Sequence, residues 1–274
     1  MSTTPAIIDT HCHLDFAVFD EDRDQVLNRC AINNVQTIIN PGVTADTWQR
    51  TINLSQSTPT LHFALGLHPQ FIEHHQPQHL SQLDTLIETH RPVAVGEIGL
   101  DFYAAQRPQS NTGGKNPESS TQANREKQQL FFVKQLIIAK QHNLPVIIHN
   151  RKAHDLCLNL LSDTVVAGGT IHAFNGSIQQ AHKYHEMGFM LGFGGMLTYE
   201  RSSKLRALVK QLPLSAIVLE TDAPDMTVSA HQGERNSPEY LPFVLAAVAE
   251  IKNLSVEQVA EVTSQNAQRI FNLT

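Results

Sequence analysis

In the stretch AIIDTHCHL, residues 6–14, His11 and His13 stand one residue apart where an apolar run ends. On an extended strand two side chains at that spacing project from the same face, so one small object can touch both imidazoles. Other ligand-type residues recur where later apolar runs close: Glu97 in VAVGEIGLDF, His149 in LPVIIHNR, His172 in GTIHAF and Asp222 in IVLETDAP. Four histidines and two carboxylates make a donor set for divalent metal ions. A single ion seldom takes six protein ligands, and a catalytic ion keeps a position open for water or substrate. Two ions sharing a carboxylate fit the set better. Glu97 is the expected bridge, because its side chain is the longer and it falls between the first pair and His149 with His172. Asp222 is expected beside the first ion, where it can take a proton from water as general base. Mixed imidazole and carboxylate donors favour Zn or Mn, whereas Mg, usable for activity, prefers oxygen. Water made acidic by such ions attacks electrophiles, so the reaction class is hydrolysis.

Convergence of these residues requires a particular scaffold. Eight short apolar runs, 6–13, 35–40, 61–67, 93–98, 145–149, 169–173, 189–193 and 216–221, alternate with helical patterns such as REKQQLFFVKQLIIAKQHN and SSKLRALVKQL. That alternation predicts parallel strands with helical crossovers and, with eight repeats, a TIM-type (β/α)8 barrel whose strand C-termini meet at one rim. A doubly wound sheet would place a Gly-rich phosphate loop after the first strand, where the histidines stand instead. The barrel is expected to occupy residues 1–274 as a single domain. Two further helical patterns, SPEYLPFVLAAVAEIKN and SVEQVAEVTSQNAQRIFN, finish the chain and are expected outside the barrel, the second capped by Ser255 with Glu257 in its first turn. The polar, Gly- and Pro-containing segment 104–124 has no apolar period and reads as a flexible loop insertion at the rim.

Around the metal candidates lies a second tier. His68, in ALGLHPQ, can bind substrate or protonate a leaving oxygen; its other reading is a turn histidine before Pro69. Arg151 and Lys152 follow His149, and Arg201, Lys204 and Arg206 follow the seventh apolar run, so positive charge at the rim suits phosphate. Of these, Arg151, Arg201 and Lys204 join His68 as expected substrate-binding residues. Asp101 is placed to orient a ligand histidine, and Glu220, by alternation, to face the same side as Asp222. Asn175 and Ser177 read as caps of the helix after the sixth strand. His74, His75, His79 and His90 read as surface residues, and Cys12 should point away from its flanking histidines into the core.

The chain of 274 residues is 41% hydrophobic and carries a net charge of −6, so any nucleic acid must be held by a local patch or through cations, with few phosphate contacts and a shallow salt dependence. Three cysteines at unrelated spacings fit a reducing compartment, and with no signal-like start or long apolar window the expectation is a cytoplasmic protein without membrane association. No obligate protein partner is evident.

The motifs DTHCHLDF, GLHP, VGEIGLDFY, PVIIHNRKAHD, HAFNGS and ETDAPDM, in this order, resemble the TatD family of metal-dependent deoxyribonucleases in the amidohydrolase-like superfamily, over nearly the whole chain. RNSPEYL, with Arg235, Asn236 and Pro238, is similar to the family's segment after the last strand, and ETDAPDM with TYERSSKLR resembles its YjjV-like branch. The resemblance implies a barrel with two divalent metals on His11, His13, Glu97, His149, His172 and Asp222, hydrolysing DNA phosphodiesters, with single-stranded DNA as the expected substrate. The 104–124 segment is longer than the family pattern suggests. A metal-dependent deacylase or amidohydrolase, acting for example on aminoacyl-tRNA, is the alternative, because the same centre attacks carbonyl carbon. A non-catalytic metal-binding protein fits less well, since Asp222 and an open coordination position serve no purely structural need.

Overall fold

Aliphatic runs form the strands β1 (Ile7–Asp9), β2 (Val35–Pro41), β3 (Leu61–Leu65), β4 (Ala94–Asp101), β5 (Val146–Arg151), β6 (Gly169–His172), β7 (Phe189–Phe193) and β8 (Ile217–Leu219) of a computed structural model that describes residues 5–103 and 117–273. Among the described residues they make one sheet in sequential order, every ladder parallel. Parallel neighbours need crossovers, and seven helices supply them: α1 (Arg23–Ile32), α2 (Trp48–Ser57), α3 (Pro77–His90), α4 (Pro117–Gln141), α5 (His154–Asp163), α6 (Ile178–Glu186) and α7 (Ser203–Gln211). Two more, α8 (Leu241–Lys252) and α9 (Val256–Phe271), follow β8. The result is a nearly closed TIM barrel, as expected.

The strand ends differ from the expected bounds in ways that matter for the site. β1 stops at Asp9, and residues 10–13 are instead stitched to both neighbours. The Thr10 amide and hydroxyl donate to the Leu219 carbonyl (3.0 and 2.9 Å), the Cys12 amide to Ile39 (3.0 Å) and the His13 amide to Ala223 (2.8 Å), while the Asp222 amide donates to the His11 carbonyl (2.8 Å). The bonds to Leu219, Ala223 and Asp222 close the seam between β1 and β8, and that to Ile39 holds the segment against β2. Alternation therefore survives the loss of the ladder: Cys12 lies in the apolar core and the His11 and His13 rings meet on the other side. β8 also ends early, and Asp222 sits beyond it with φ +56°. β4 runs on to Asp101, so Glu97 is inside a strand and does not close one.

The last helix is not an external appendage. Ala267 and Phe271 of α9 pack with Ile270 and Leu273 against Ile8, Ile39, Ala64, Ala94, Ile147, Met190 and Val218, one from each of seven strands. Asn266 donates to the Leu214 and Ile217 carbonyls and Ser264 to the Ala6 carbonyl, at the starts of β8 and β1. α9 thus covers the end of the barrel opposite the rim. Its start is as expected: Ser255 accepts from the Gln258 amide in a capping box, with Glu257 in the first turn.

α4 begins at Pro117, a residue suited to a first helical position, so 117–124 belongs to a helix and not to a loop; residues 104–116 lie outside the described residues. The face of α4 against the barrel carries two buried glutamines seven residues apart. Gln128 accepts from the Asp101 amide (2.8 Å) and donates to its carbonyl (3.1 Å), and Gln135 does the same at Leu67 (2.7 and 3.3 Å). They satisfy backbone groups that the ladders leave behind where β3 and β4 give way to the rim.

His75, expected on the surface, is buried, and its Nε2 lies 2.9 Å from the His68 carbonyl oxygen, fixing the loop that carries His68. Burial pushes its pKa down to about 4.

Two outcomes follow. Phe271→Ala should lower stability by about 3–5 kcal/mol, read from urea unfolding, because the barrel interior cannot collapse into the cavity. His75 stays neutral in the fold down to about 4, whereas the unfolded chain protonates it near 6.5, so stability should fall as pH drops through that window and level off below it. The difference in urea midpoint between wild type and His75→Gln, followed from pH ~7 to ~4, should narrow as the window is crossed.

Candidate metal centre

Glu97 stands at the middle of the rim, almost fully buried, with each carboxylate oxygen facing imidazoles. Oε2 lies 3.2 Å from His11 Nε2 and 3.5 Å from His13 Nε2; Oε1 lies 3.1 Å from both His68 Nε2 and His149 Nδ1. The register of β4 slips between Val95 and Ile98, and this irregularity, not strand termination, brings Glu97 into position. Glycine at 66 permits it, since a Cβ there would come within 2.7 Å of the Glu97 carbonyl oxygen. Burial alone would raise the Glu97 pKa, but the charges of His68 and His11 and the bonds from His11 and His149 outweigh it and hold the group well below the usual carboxylate range.

Asp222 and His172 complete the ring. The left-handed turn at Asp222 aims its carboxylate back over the strand ends, with Oδ1 3.7 Å from both His11 Nε2 and His13 Nε2, and Oδ2 3.5 Å from His172 Nε2. Burial acts upward on Asp222, yet His172, His11 and His13 bring its pKa to about 2. His172 stacks on His11 at 3.7 Å between ring centroids and turns Nδ1 to Glu220 Oε1 at 3.0 Å. Glu220 therefore does share a side with Asp222, the two carboxylates gripping opposite edges of one ring. Space for it comes from Gly192, where a Cβ would lie 2.1 Å from Glu220 Oε2. Burial opposes protonation of His172, but Glu220 and Asp222 prevail and raise its pKa well above the ordinary value. His149 is held in the same manner: its Nε2 lies 3.1 Å from Asp101 Oδ2, and the bonds to Asp101 and Glu97 overcome burial and raise it to about 9.

The nitrogen and oxygen atoms just described converge tightly. His11, Glu97 and His172, then His11, His13 and Asp222, then His68, Glu97 and His149, each offer ligand atoms within 4.8 Å of one another. His11 Nε2 and His13 Nε2 are only 3.2 Å apart and both face carboxylates. A proton can bridge one such pair; several lone pairs aimed at common points describe cation sites, and the donor set fits divalent metal.

His68 is the turn histidine of its second reading, its Nδ1 accepting from the Gln70 amide at 3.1 Å, and its Nε2 faces Glu97 at 3.1 Å. Arg151, Arg201 and Lys204 line a cleft of about 890 Å³ that also reaches His149, His172 and Asp222. Arg151 lies 3.9 Å over the Tyr103 ring and Arg201 4.5 Å over Tyr199, so both guanidinium planes are held at the cleft wall. Arg206 is diverted, donating to the Leu197 carbonyl and pairing with Glu250. Ser177 caps α6, and Asn175 bonds the Ala173 carbonyl, with its Oδ1 3.3 Å from His154 Nε2.

The roles of several residues of the centre escaped the sequence. Asp9 is fully buried; its Oδ1 accepts from the His11 and Thr221 amides (3.2 and 3.0 Å) and its Oδ2 from the Thr221 hydroxyl (2.6 Å). It ties the histidine segment to the Asp222 turn, and burial, exceeding those bonds, raises its pKa to about 8. A carboxylate two residues before His11 within an apolar run was the available signal. Asn236 donates to the Thr221 and Asp225 carbonyls (2.8 and 2.6 Å), binding the segment after β8 to the same turn. Asp225 lines the cleft, its pKa raised by partial burial and by Asp222.

Comparison with known proteins agrees with this geometry. Residues 8–272 match the family described as TatD related DNase. The uncharacterized metal-dependent hydrolase YjjV of Escherichia coli K12 is 38% identical over 270 residues, covering 97% of this chain and 98% of the relative. The deoxyribonuclease TATDN3 of Homo sapiens is 32% identical over 275 residues, covering 97% and 94%. The crystal structure of the Escherichia coli YjjV, a TatD homologue, aligns with a TM-score of 0.86 at 37% identity over 98% of both chains. The chain belongs to the TatD family and is a metal-dependent hydrolase.

Proposed function

We propose that this protein is a deoxyribonuclease that hydrolyses phosphodiester bonds of single-stranded DNA at a two-metal centre. The observation that carries the reading is Glu97, whose two oxygens face separate histidine groups beside a cleft walled by Arg151, Arg201 and Lys204. One ion would be held by His11, His13, Asp222 and Glu97, and the other by Glu97, His149 and His172. When bound, the pair supplies water of lowered pKa and stabilises charge on the attacking and leaving oxygens.

The chain's own groups account for the remaining chemistry. Asp222, ionised to about pH 2 in the absence of metal, takes the proton of the attacking water. His68 Nε2, 3.1 Å from Glu97, is placed at the rim to donate a hydrogen bond to a leaving oxygen, its ring kept neutral by burial. Asp101 and Glu220 orient His149 and His172 and fix which ring nitrogen is presented. Arg151, Arg201 and Lys204 pair with phosphate oxygens, and Arg151 and Arg201 can do so in two-pronged fashion. A net charge of −6 gives DNA no global attraction, so binding falls to these local groups.

Asp222→Asn should lower single-stranded DNA cleavage by about 10²–10⁴-fold, and removal of metal with a chelator should abolish it, both read by product analysis alongside elemental analysis of the protein. Metal-replete wild type that leaves DNA intact but turns over acyl or amide substrates would replace this reading with the deacylase one. Arg201→Ala should weaken binding of all sequences alike and reduce the slope of log affinity against log salt by about 1; an unchanged slope would remove Arg201 from the phosphate contacts.

A further inference from the structure

On the side of the rim away from the cationic cleft, the loops after β1, β2 and β3 enclose a second groove of about 690 Å³. Its two aromatic side chains both touch histidines of the centre. The half-buried Phe16 ring stacks on His13, centroids 4.7 Å apart and planes 16° from parallel, and Phe71 lies 5.8 Å from His68. Val43 and Ala45 line the rest together with polar groups, Thr44, Asp46, His74 and His79 among them, and the lining contains neither Lys nor Arg. The groove is therefore unsuited to a backbone phosphate, which the opposite cleft with Arg151, Arg201 and Lys204 can hold. Ring faces with carboxylate and imidazole edges suit a flat heteroaromatic group that carries amide and amine functions.

We propose that this groove is a nucleobase subsite: one base of the strand, next to the phosphodiester at the centre, stacks on Phe71 and Phe16 while its edge meets Asp46 and the groove imidazoles. The proposal rests on the deoxyribonuclease reading for the identity of the strand. Stacking on a ring is indifferent to which base is present, so the subsite favours unpaired bases over sequence. A base must leave its duplex partner to enter, which makes the subsite the source of a single-strand preference. Phe71 acts here on binding, and not on the reacting atoms.

The test compares an ordinary single-stranded oligonucleotide with one of equal length built entirely of abasic nucleotides, in wild type, Phe71→Leu and Phe71→Trp proteins of matched metal content. Calorimetric binding of deoxyadenosine, which has no phosphate, provides a readout apart from turnover. Wild type should show KM lower by about tenfold or more for the base-bearing strand. Phe71→Leu should lose that discrimination and the deoxyadenosine binding without a matching loss on the abasic strand, and Phe71→Trp should restore both. Equal losses on both strands, or a wild type that neither discriminates nor binds deoxyadenosine, overturn the subsite. Deoxyadenosine binding that depends on Phe71 in a protein that cleaves no DNA would keep the subsite and discard the deoxyribonuclease reading.

Discussion

A carboxylate buried at the centre of a barrel mouth must be matched by positive charge, because an unpaired ion away from water is among the costliest features a fold can carry. Glu97 imposes that condition here. Its oxygens face four imidazoles drawn from the segment after β1, the loop after β3 and strand β5, and the next carboxylate, Asp222, is met by His172 and the first-strand pair. Each imidazole that answers Glu97 or Asp222 then needs its own orientation, which explains why Asp101 stands behind His149 and Glu220 behind His172. The centre is a set of alternating acids and bases in which no member can be placed independently of the next.

Holding such a set requires rigid strand ends, and the barrel supplies them by unusual means. The seam between β1 and β8 is made of isolated bonds donated by Thr10, His13 and Asp222 and of those the buried Asp9 accepts from Thr221, not of a continuous ladder. Asp9 and Asp222 show how environment divides two aspartates: the first sits among hydroxyl and amide donors without a cation and is pushed up to about 8, while the second faces histidines and is brought to about 2. On the far side, Gln128 and Gln135 of α4 bond the backbone at Asp101 and Leu67. With α9 covering the opposite end, the interior is sealed below and reactive only above.

The rim is asymmetric about this centre. The end of β5 and the segment after β7 present guanidinium and ammonium groups, whereas loops after β1 to β3 present rings and hydrogen-bonding edges. A nucleic acid strand has the same two-sided chemistry, a phosphate backbone and flat bases, and the metal candidates lie between the two walls. Membership of the TatD family establishes metal-dependent hydrolysis; the two walls are what support the proposed DNA substrate.

The sequence by itself determined whatever depends on periodicity and residue chemistry. Alternation of apolar runs with amphipathic ones dictates parallel strands and a barrel, and imidazole and carboxylate side chains at the closes of those runs mark the rim. The inward pairing of His11 and His13 around a buried Cys12 follows from the two-residue period of extended chain. Tertiary structure decided what depends on partners distant along the chain. That Glu97 arrives through a slip of register within β4, that Asp222 needs a left-handed turn beyond β8, that His75 is buried behind His68 and that α9 caps the barrel are set by packing between elements which local pattern does not encode. The same reason hid Asp9, Gln128 and Gln135: their roles are to satisfy backbone groups of other strands, and a polar residue's partner becomes visible only when the chain has folded around it.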